Sequence, residues 1–193
     1  MRNIRDFMGG LGNRLFQFGF LYSQVREGNL PDIYLQDYTR FDRYKEELKK
    51  VIGKEDFTIN KISLHIRRGD YVDNPFYVDL AQTDYYQKAV AEFPNDRFLV
   101  FCNDRQVKKV DGEDRKWCQE FLSKFLSKDK FSFYSSKEAI RDFNAMQNCK
   151  GHIMANSSFS FWASYLGDGK TIAPIKWFAD GSSIPLPENF IQI

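Results

Sequence analysis

Apolar and polar residues alternate along residues 62–66, where Ile62, Leu64 and Ile66 occupy one face. A period of two residues predicts a β-strand. Residues 98–102 form a continuous apolar run, which is typical of a parallel strand that is covered on both faces. Further short apolar runs predict strands at 4–8, 33–36, 131–134, 151–155 and 170–173.

Segments whose apolar residues have helical spacing lie between these predicted strands. A glycine-rich stretch at 9–13 precedes a predicted helix, whose first turn Asn13 can cap. The residues predicted to share the inward face of this helix are Leu15, Phe18, Tyr22 and Val25. The same spacing predicts helices over 41–52, between 83 and 94, over 117–125, through 140–146 and from 157 to about 166. Residues 105–116 are predicted to be a loop or a frayed helix, and the tail after 173 to be irregular.

From residue 59 onward the predicted strands and helices alternate, which predicts an α/β fold with a doubly wound parallel sheet. Three of the strand ends carry polar residues, and such ends gather on one rim of the sheet. These residues are His65, Arg67 and Arg68, then Asn103 and Asp104, then Asn156, Ser157 and Ser158. The sequence therefore predicts a site for anions and hydrogen-bonding groups at that rim.

The adjacent Arg67 and Arg68 point to a phosphate or carboxylate ligand, because a planar guanidinium grips such oxyanions with two hydrogen bonds. Two helix starts, after the 9–13 glycines and after Asn156, could add backbone N–H groups to an anion site. Each signal has a plainer alternative: solvated charges for the arginines, a tight turn for the glycines, and ordinary helix capping for the serines.

Composition narrows the classes of function. The 193 residues are 42% hydrophobic, which supports a packed core, and the net charge of +2 argues against a dedicated nucleic-acid surface. Three cysteines without a C-x-x-C pair predict reduced thiols in a cytoplasmic protein, and two histidines exclude a histidine-rich metal site. The sequence contains no visible signal peptide and no apolar run long enough to cross a membrane.

Four segments, taken in order, resemble the motifs of the α-1,2-fucosyltransferases of glycosyltransferase family 11. They are residues 9–18 (GGLGNRLFQF), 65–71 (HIRRGDY), 101–104 (FCND) and 155–162 (ANSSFSFW). The resemblance implies a GT-B-like fold with a Rossmann-like donor lobe at 58–193 and a reduced N-terminal, acceptor-side lobe at 1–57. It also implies inverting transfer of L-fucose from GDP-fucose to the 2-hydroxyl of a terminal β-galactoside, without a metal or another cofactor.

The resemblance assigns expected roles to residues of this chain. Asn13, Arg67 and Asp70 are the expected catalytic residues: Arg67 holds the β-phosphate, Asn13 lies beside the transferred sugar, and Asp70 or Asp73 serves as the base. Asp70 could instead orient the arginines. The remaining expected binding residues, which include the guanosine-end pair His65 and Asp104, are Gly10, Gly12, His65, Arg68, Asn103, Asp104, Asn156, Ser157, Ser158 and Phe159.

The chain departs from the family pattern in places that matter. Residues 105–116 look inserted, which makes Asp114 a rival to Asp104 as the guanosine contact. A short loop between Gly28 and Ile33 replaces a long segment of the acceptor-side lobe. Three hypotheses follow: a fucosyltransferase, a GDP-sugar-binding protein with little transfer, and a sugar-binding or structural module. The expected partners are GDP-fucose and a galactose-terminated acceptor, with peripheral membrane contact if that acceptor is lipid-linked, and no nucleic acid.

Overall fold

A computed structural model of the chain describes residues 10–27, 37–53, 56–102, 113–134, 136 and 138–193. Its strands are β1 (Ile59–Ile66), β2 (Phe98–Cys102), β3 (Phe131–Phe133), β4 (Cys149–Ile153), β5 (Lys170–Ala173) and β6 (Ile191–Gln192). Its α-helices are α1 (Leu11–Glu27), α2 (Lys45–Ile52), α3 (Tyr85–Ala91), α4 (Glu113–Leu122), α5 (Ala139–Gln147) and α6 (Ser158–Leu166). Short 3₁₀ turns cover Tyr38–Arg40, Asp42–Tyr44, Gly69–Tyr71 and Leu80–Gln82.

The described strands form one six-stranded sheet in the order β3-β2-β1-β4-β5-β6, and every pair in it is parallel. This is the doubly wound order of a Rossmann-like sheet, so the predicted α/β, GT-B-like fold class is confirmed. Strand order reverses between β1 and β4, where a crevice forms at the carboxyl ends of the strands. The strands predicted at 4–8 and 33–36 lie outside the described residues.

The central strand β1 is buried on both faces, including the face that carries its polar residues. Ser63 is 1% exposed and His65 6% exposed, although both are polar. Helices cover each side of a parallel sheet, so both residues need internal partners. The Ser63 hydroxyl finds one at Nδ1 of His152, 2.9 Å away. Alternate residues of β1 therefore face opposite sides of the sheet, with the apolar residues on one side and the polar Ser63 and His65 on the other.

Two helical layers cover the sheet. One apolar cluster joins β1 and β2 to α3 and α4, and includes Tyr86, Phe98 and Leu122. The other joins α1, α2, α5 and α6 on the opposite face. At its centre the rings of Phe16 and Phe161 stack 4.9 Å apart, and Phe41 stacks 5.0 Å from Trp162. Helix α6 is buried from Ser160 onward, so it is an internal helix on which the surface helices pack.

Helix α1 is confirmed, but the predicted inward face is rotated. Leu15, Phe16 and Phe20 are buried, whereas Phe18 and Tyr22 are only partly buried. The reason is Gly12, which lets the helix approach α6 along a different line: a Cβ there would lie 2.5 Å from the carbonyl carbon and Oγ of Ser158. The prediction that Asn13 caps the helix is also wrong, because α1 begins at Leu11.

Other boundaries shift by a few residues. Helix α4 begins at Glu113, so residues 113–116 are helical, and it ends at Leu122 before the predicted limit of 125. The tail is not wholly irregular, since β6 pairs in parallel with β5. The described part of residues 1–57 packs on α6 within one shared core. The division into lobes at residue 57 stays a prediction.

None of the described helices is both long enough and apolar enough to cross a membrane.

The contact at Gly12 yields a test of the fold. We expect Gly12→Ala to destabilise the protein by about 1–3 kcal/mol, because the added methyl meets backbone and overpacking costs about that much. The corresponding fall in melting temperature is about 2–12 °C for a chain of this size. Thermal unfolding followed by circular dichroism measures it.

Gly10→Ala is the matched control. A Cβ on Gly10 meets no described atom within 4 Å, so the change in stability should stay below about 1 kcal/mol. Equal melting temperatures for the two variants would show that α1 and α6 do not meet as closely as described.

Candidate functional site

A cleft of about 360 Å³ opens at the carboxyl ends of the strands, where the strand order reverses. Its floor comes from the ends of β1 and β2, and its sides from the first residues of α1 and α6. Of the predicted site residues, the cleft brings together Gly10, Gly12, Asn13, His65, Arg67, Ser157, Ser158 and Phe159. The predicted gathering of strand ends on one rim therefore occurs for the motifs after β1 and β4.

Arg67 is the cationic side chain in the described lining of the cleft. It follows directly on β1, so the strand fixes where the side chain starts. Its Cζ lies 5.0 Å from the centre of the Tyr71 ring, a cation–π contact that orients the guanidinium. The ring engages the face of the guanidinium, and the planar N–H edge of a guanidinium has the geometry that suits an oxyanion.

The starts of α1 and α6 add two helix N-termini to the same cleft. The hydroxyl of Ser158, the first residue of α6, donates to Oδ1 of Asn13 in the first turn of α1 at 3.0 Å. Each helix N-terminus carries unsatisfied N–H groups and a partial positive charge. Together with Arg67, they make the cleft a site that favours an anion with several oxygen atoms, such as a diphosphate.

His65 contributes a neutral ring to the cleft. Burial, and to a lesser degree the charge of Arg67, lowers the pKa of His65 to about 3. Its Nδ1 is buried and has no hydrogen-bond partner among the residues the structure describes. The ring centre lies 6.0 Å from that of Phe159. Buried polar atoms are normally paired, so this nitrogen is a candidate to meet a ligand.

Arg68 is not among the described residues that line the cleft. Its Nε donates to Asp114 at 3.2 Å, and its Cζ lies 3.7 Å from the centre of the Trp117 ring. Arg68 thus joins the end of β1 to α4, and Asp114, the rival guanosine contact, is its partner. The binding roles predicted for both residues stay predictions.

Asn156 lies behind the cleft and not in its lining. It is 2% exposed, and its Nδ2 donates to the carbonyl oxygens of Val78 and Trp177, both at 2.9 Å. It therefore ties together the segments that follow β1 and β5. This cross-link does not test the binding role predicted for Asn156.

The two candidates for the base lie in the segment after β1. Asp70 belongs to the 3₁₀ turn Gly69–Tyr71. Asp73 is exposed and has a positive φ of 57°, a conformation that costs a non-glycine residue free energy. Asn103 and Asp104 lie outside the described residues.

The cleft also contains residues that the strand-end argument missed. They are Tyr71, Tyr77, Phe101, Cys102, Tyr134, Ser136, Ala139, Asp142, Trp177 and Phe178. Tyr71, Phe101 and Cys102 belong to segments that resemble the family, which was a usable signal. Tyr77 carries no local signal, because its place depends on an isolated antiparallel bridge with Phe178, far away in sequence. In the described part of the chain, no cluster of three or more His, Cys, Asp or Glu residues is arranged to hold a metal ion.

Comparison with known proteins gives one family. The sequence model of glycosyl transferase family 11 matches residues 9–183. The chain is 31% identical to an alpha-1,2-colitosyltransferase of Escherichia coli, over 83% of this chain and 61% of the relative. It is 29% identical to the O-antigen biosynthesis glycosyltransferase WbnK of Escherichia coli, over 84% and 60%.

A mammalian relative matches over a smaller share of both chains. The galactoside alpha-(1,2)-fucosyltransferase 2 of Mus musculus is 29% identical over 74% of this chain and 41% of its own length. The matched part of the chain thus spans about 60% of the bacterial relatives and about 40% of the mouse relative.

The state of His65 predicts a pH dependence of stability. Its pKa is about 3 in the folded protein and 6.5 ordinarily, so between these values the unfolded chain binds more protons. Stability is therefore lost as the pH falls below 6.5. Relative to a His65→Gln variant, we expect the wild type to lose about 2 kcal/mol between pH 7.5 and pH 5.

Urea unfolding at several pH values measures the difference, and the carboxylates shared by the two proteins cancel in it. Parallel stability curves for the wild type and the variant would show that His65 is not held neutral by burial.

Proposed function

This chain belongs to glycosyltransferase family 11, and we propose that it binds GDP-fucose and directs the sugar to the 2-hydroxyl of a terminal β-galactoside. The observation that carries the proposal is the cleft in which Arg67 and the starts of α1 and α6 converge. Two of the relatives support the sugar class, since one is named for alpha-1,2 transfer of colitose and the other for alpha-(1,2) transfer of fucose.

The leaving diphosphate is the group that this cleft is proposed to stabilise. As the bond between C1 of the sugar and the β-phosphate oxygen breaks, negative charge accumulates on that oxygen. Arg67 and the N–H groups at the start of α6 are fixed dipoles and charges that need no reorganisation to meet it. This arrangement replaces the charge that a metal ion would supply, so the proposal requires none.

Inverting transfer also needs a base on the opposite side of the sugar. The acceptor 2-hydroxyl forms a new bond to C1 as the bond to the diphosphate breaks, and its proton goes to a carboxylate. Asp70 and Asp73, in the segment after β1, are the proposed candidates. Asn13, which accepts from Ser158, is placed by the proposal beside the transferred sugar.

His65 is proposed to act at the guanosine side of the diphosphate. It is neutral at physiological pH because its pKa is lowered to about 3, so it neither repels Arg67 nor competes with it for the anion. The Nδ1 atom of His65 has no hydrogen-bond partner among the described residues, and it offers one hydrogen bond to the ligand. Asp104 is the proposed guanine contact.

Limited transfer is the second candidate function. The loop between Gly28 and Ile33 is short where the family resemblance implies a long acceptor-side segment. Orientation of reacting groups is worth up to about 7–11 kcal/mol of a barrier, so a poorly held acceptor slows transfer by orders of magnitude. The described residues that line the donor cleft lie at 10–13 and from His65 onward.

The role of Arg67 is tested by donor binding. We expect GDP to bind in the presence of a chelator, and Arg67→Lys to weaken binding nearly as much as Arg67→Ala. Lysine keeps the charge but not the two-pronged N–H edge. Loss of a buried charged contact costs about 2–5 kcal/mol, which is roughly a 30-fold or greater loss of affinity. Isothermal titration calorimetry gives the values.

Arg97→Lys is the matched control, since Arg97 is exposed at the amino end of β2, on the edge of the sheet opposite the cleft. It should bind GDP like the wild type. An absolute requirement for Mg²⁺ or Mn²⁺, or near-normal binding by Arg67→Lys, would contradict the proposal.

The second candidate function, limited transfer, predicts that the protein binds the donor well but transfers its sugar slowly. We expect GDP release from GDP-fucose to be slow and to rise little when lactose is added, because an acceptor that is poorly oriented competes weakly with water. A coupled assay of GDP with and without lactose measures both rates. Strong acceptor-dependent turnover would remove this candidate and leave the full transferase.

A further inference from the structure

Three aromatic rings form one side of the cleft, and we call Tyr71, Tyr77 and Phe178 the aromatic wall. The rings of Tyr71 and Tyr77 stack with their centres 3.9 Å apart and an interplanar angle of 15°. The ring of Phe178 lies 5.8 Å from that of Tyr77. All three are partly exposed and line the cleft. Tyr71 already packs against Arg67 and Tyr77, so the surface for a ligand comes mainly from Phe178 and the exposed part of Tyr77.

The wall is held rigidly from behind. Tyr77 and Phe178 form an isolated antiparallel bridge, and the N–H of Val78 donates to the carbonyl oxygen of Trp177 at 3.2 Å. The buried amide of Asn156 donates to both of these segments at 2.9 Å. A buried amide that satisfies two carbonyl groups is costly to displace, so it fixes the segments that carry Tyr77 and Phe178 to one another.

The wall runs from Tyr71, next to Arg67, towards one end of the cleft. Trp177 and Phe178 follow β5, whereas Cys102 and Tyr134 follow β2 and β3 at the other end. Four strand spacings of about 4.8 Å separate β3 from β5, or roughly 19 Å. Arg67 and the start of α6 lie between the two ends, because β1 and β4 lie between β2 and β5. A nucleotide sugar with its diphosphate at Arg67 therefore extends towards both ends.

Aromatic rings line both ends, with Phe101 and Tyr134 at the far end, but the polar groups of the two ends differ. The far end carries the carboxylate of Asp142, which accepts from the backbone N–H of Ser136 at 3.0 Å and is a suitable partner for the N–H groups of guanine. The described lining of the wall end carries no carboxylate. Its indole neighbour, Trp177, is 2% exposed, and its Nε1 has no hydrogen-bond partner within the described residues. That N–H suits a sugar hydroxyl.

We propose that the aromatic wall is the subsite for the sugar of the donor and that it selects 6-deoxy sugars over sugars with a 6-hydroxyl. The inference rests on the proposed function, since it takes the diphosphate to be bound at Arg67. A 6-deoxyhexose presents C–H groups and a methyl to the rings, and both are apolar. A 6-hydroxyl buried against the same rings loses its hydrogen bonds to water without replacement.

The test compares three ligands, GDP, GDP-L-fucose and GDP-L-galactose, which has the same sugar with a 6-hydroxyl. We expect Phe178→Ala to weaken GDP-fucose by about 3- to 10-fold, the range of an aromatic contact, and to change GDP by less than about 2-fold. Its preference for GDP-fucose over GDP-galactose should fall. Phe178→Leu keeps an apolar side chain without the ring, and should show the same pattern if the alanine variant folds poorly.

Phe76→Ala is the control, because that side chain is 72% exposed and is not in the described lining of the cleft. It should bind all three ligands like the wild type. If the wall variants weaken GDP and GDP-fucose equally, the wall holds the nucleoside, and the subsite is overturned while the proposed function stands. If the wild type binds neither ligand, both fall.

Discussion

The close approach of two helix starts at Gly12 is the constraint on which the cleft depends. Only a residue without a side chain fits there, because a Cβ would lie 2.5 Å from Ser158 and from the N–H nitrogen of Phe159. The approach places the N-termini of α1 and α6 side by side, and a hydrogen bond from Ser158 to Asn13 joins them. The cost of placing two like partial charges together is offset when an anion occupies the space beside them.

The sheet supplies the third element at the same point. Because strand order reverses between β1 and β4, the residues that follow these strands face one crevice, and Arg67 is the first residue after β1. The helix starts cannot move independently of it, since the buried helix α6 packs through Phe161 and Trp162 into the core that α1 shares. The packing of this core therefore sets the geometry of the cleft, and a change that disrupts the core also disrupts the site.

The local pattern of apolar and polar residues predicted much of this architecture, but not the features that depend on contacts between distant segments. The pattern of apolar residues located β1, β2 and β5, because buried strands of a parallel sheet are recognisable from their own apolar residues. It placed the inward face of α1 wrongly, because that face is set by the contact of Gly12 with α6, 146 residues further on at Ser158. The strand-end rule found Arg67, yet it could not find Tyr77, whose place in the cleft depends on the distant Phe178.

The central claim is that a diphosphate lies between Arg67 and the starts of the two helices. A crystal structure of the protein with GDP bound tests it most directly. The account predicts phosphate oxygens within about 3 Å of the Arg67 guanidinium and of the backbone N–H groups at the start of α6. A diphosphate bound elsewhere, with Arg67 still turned to Tyr71 and the helix starts facing water, would contradict it.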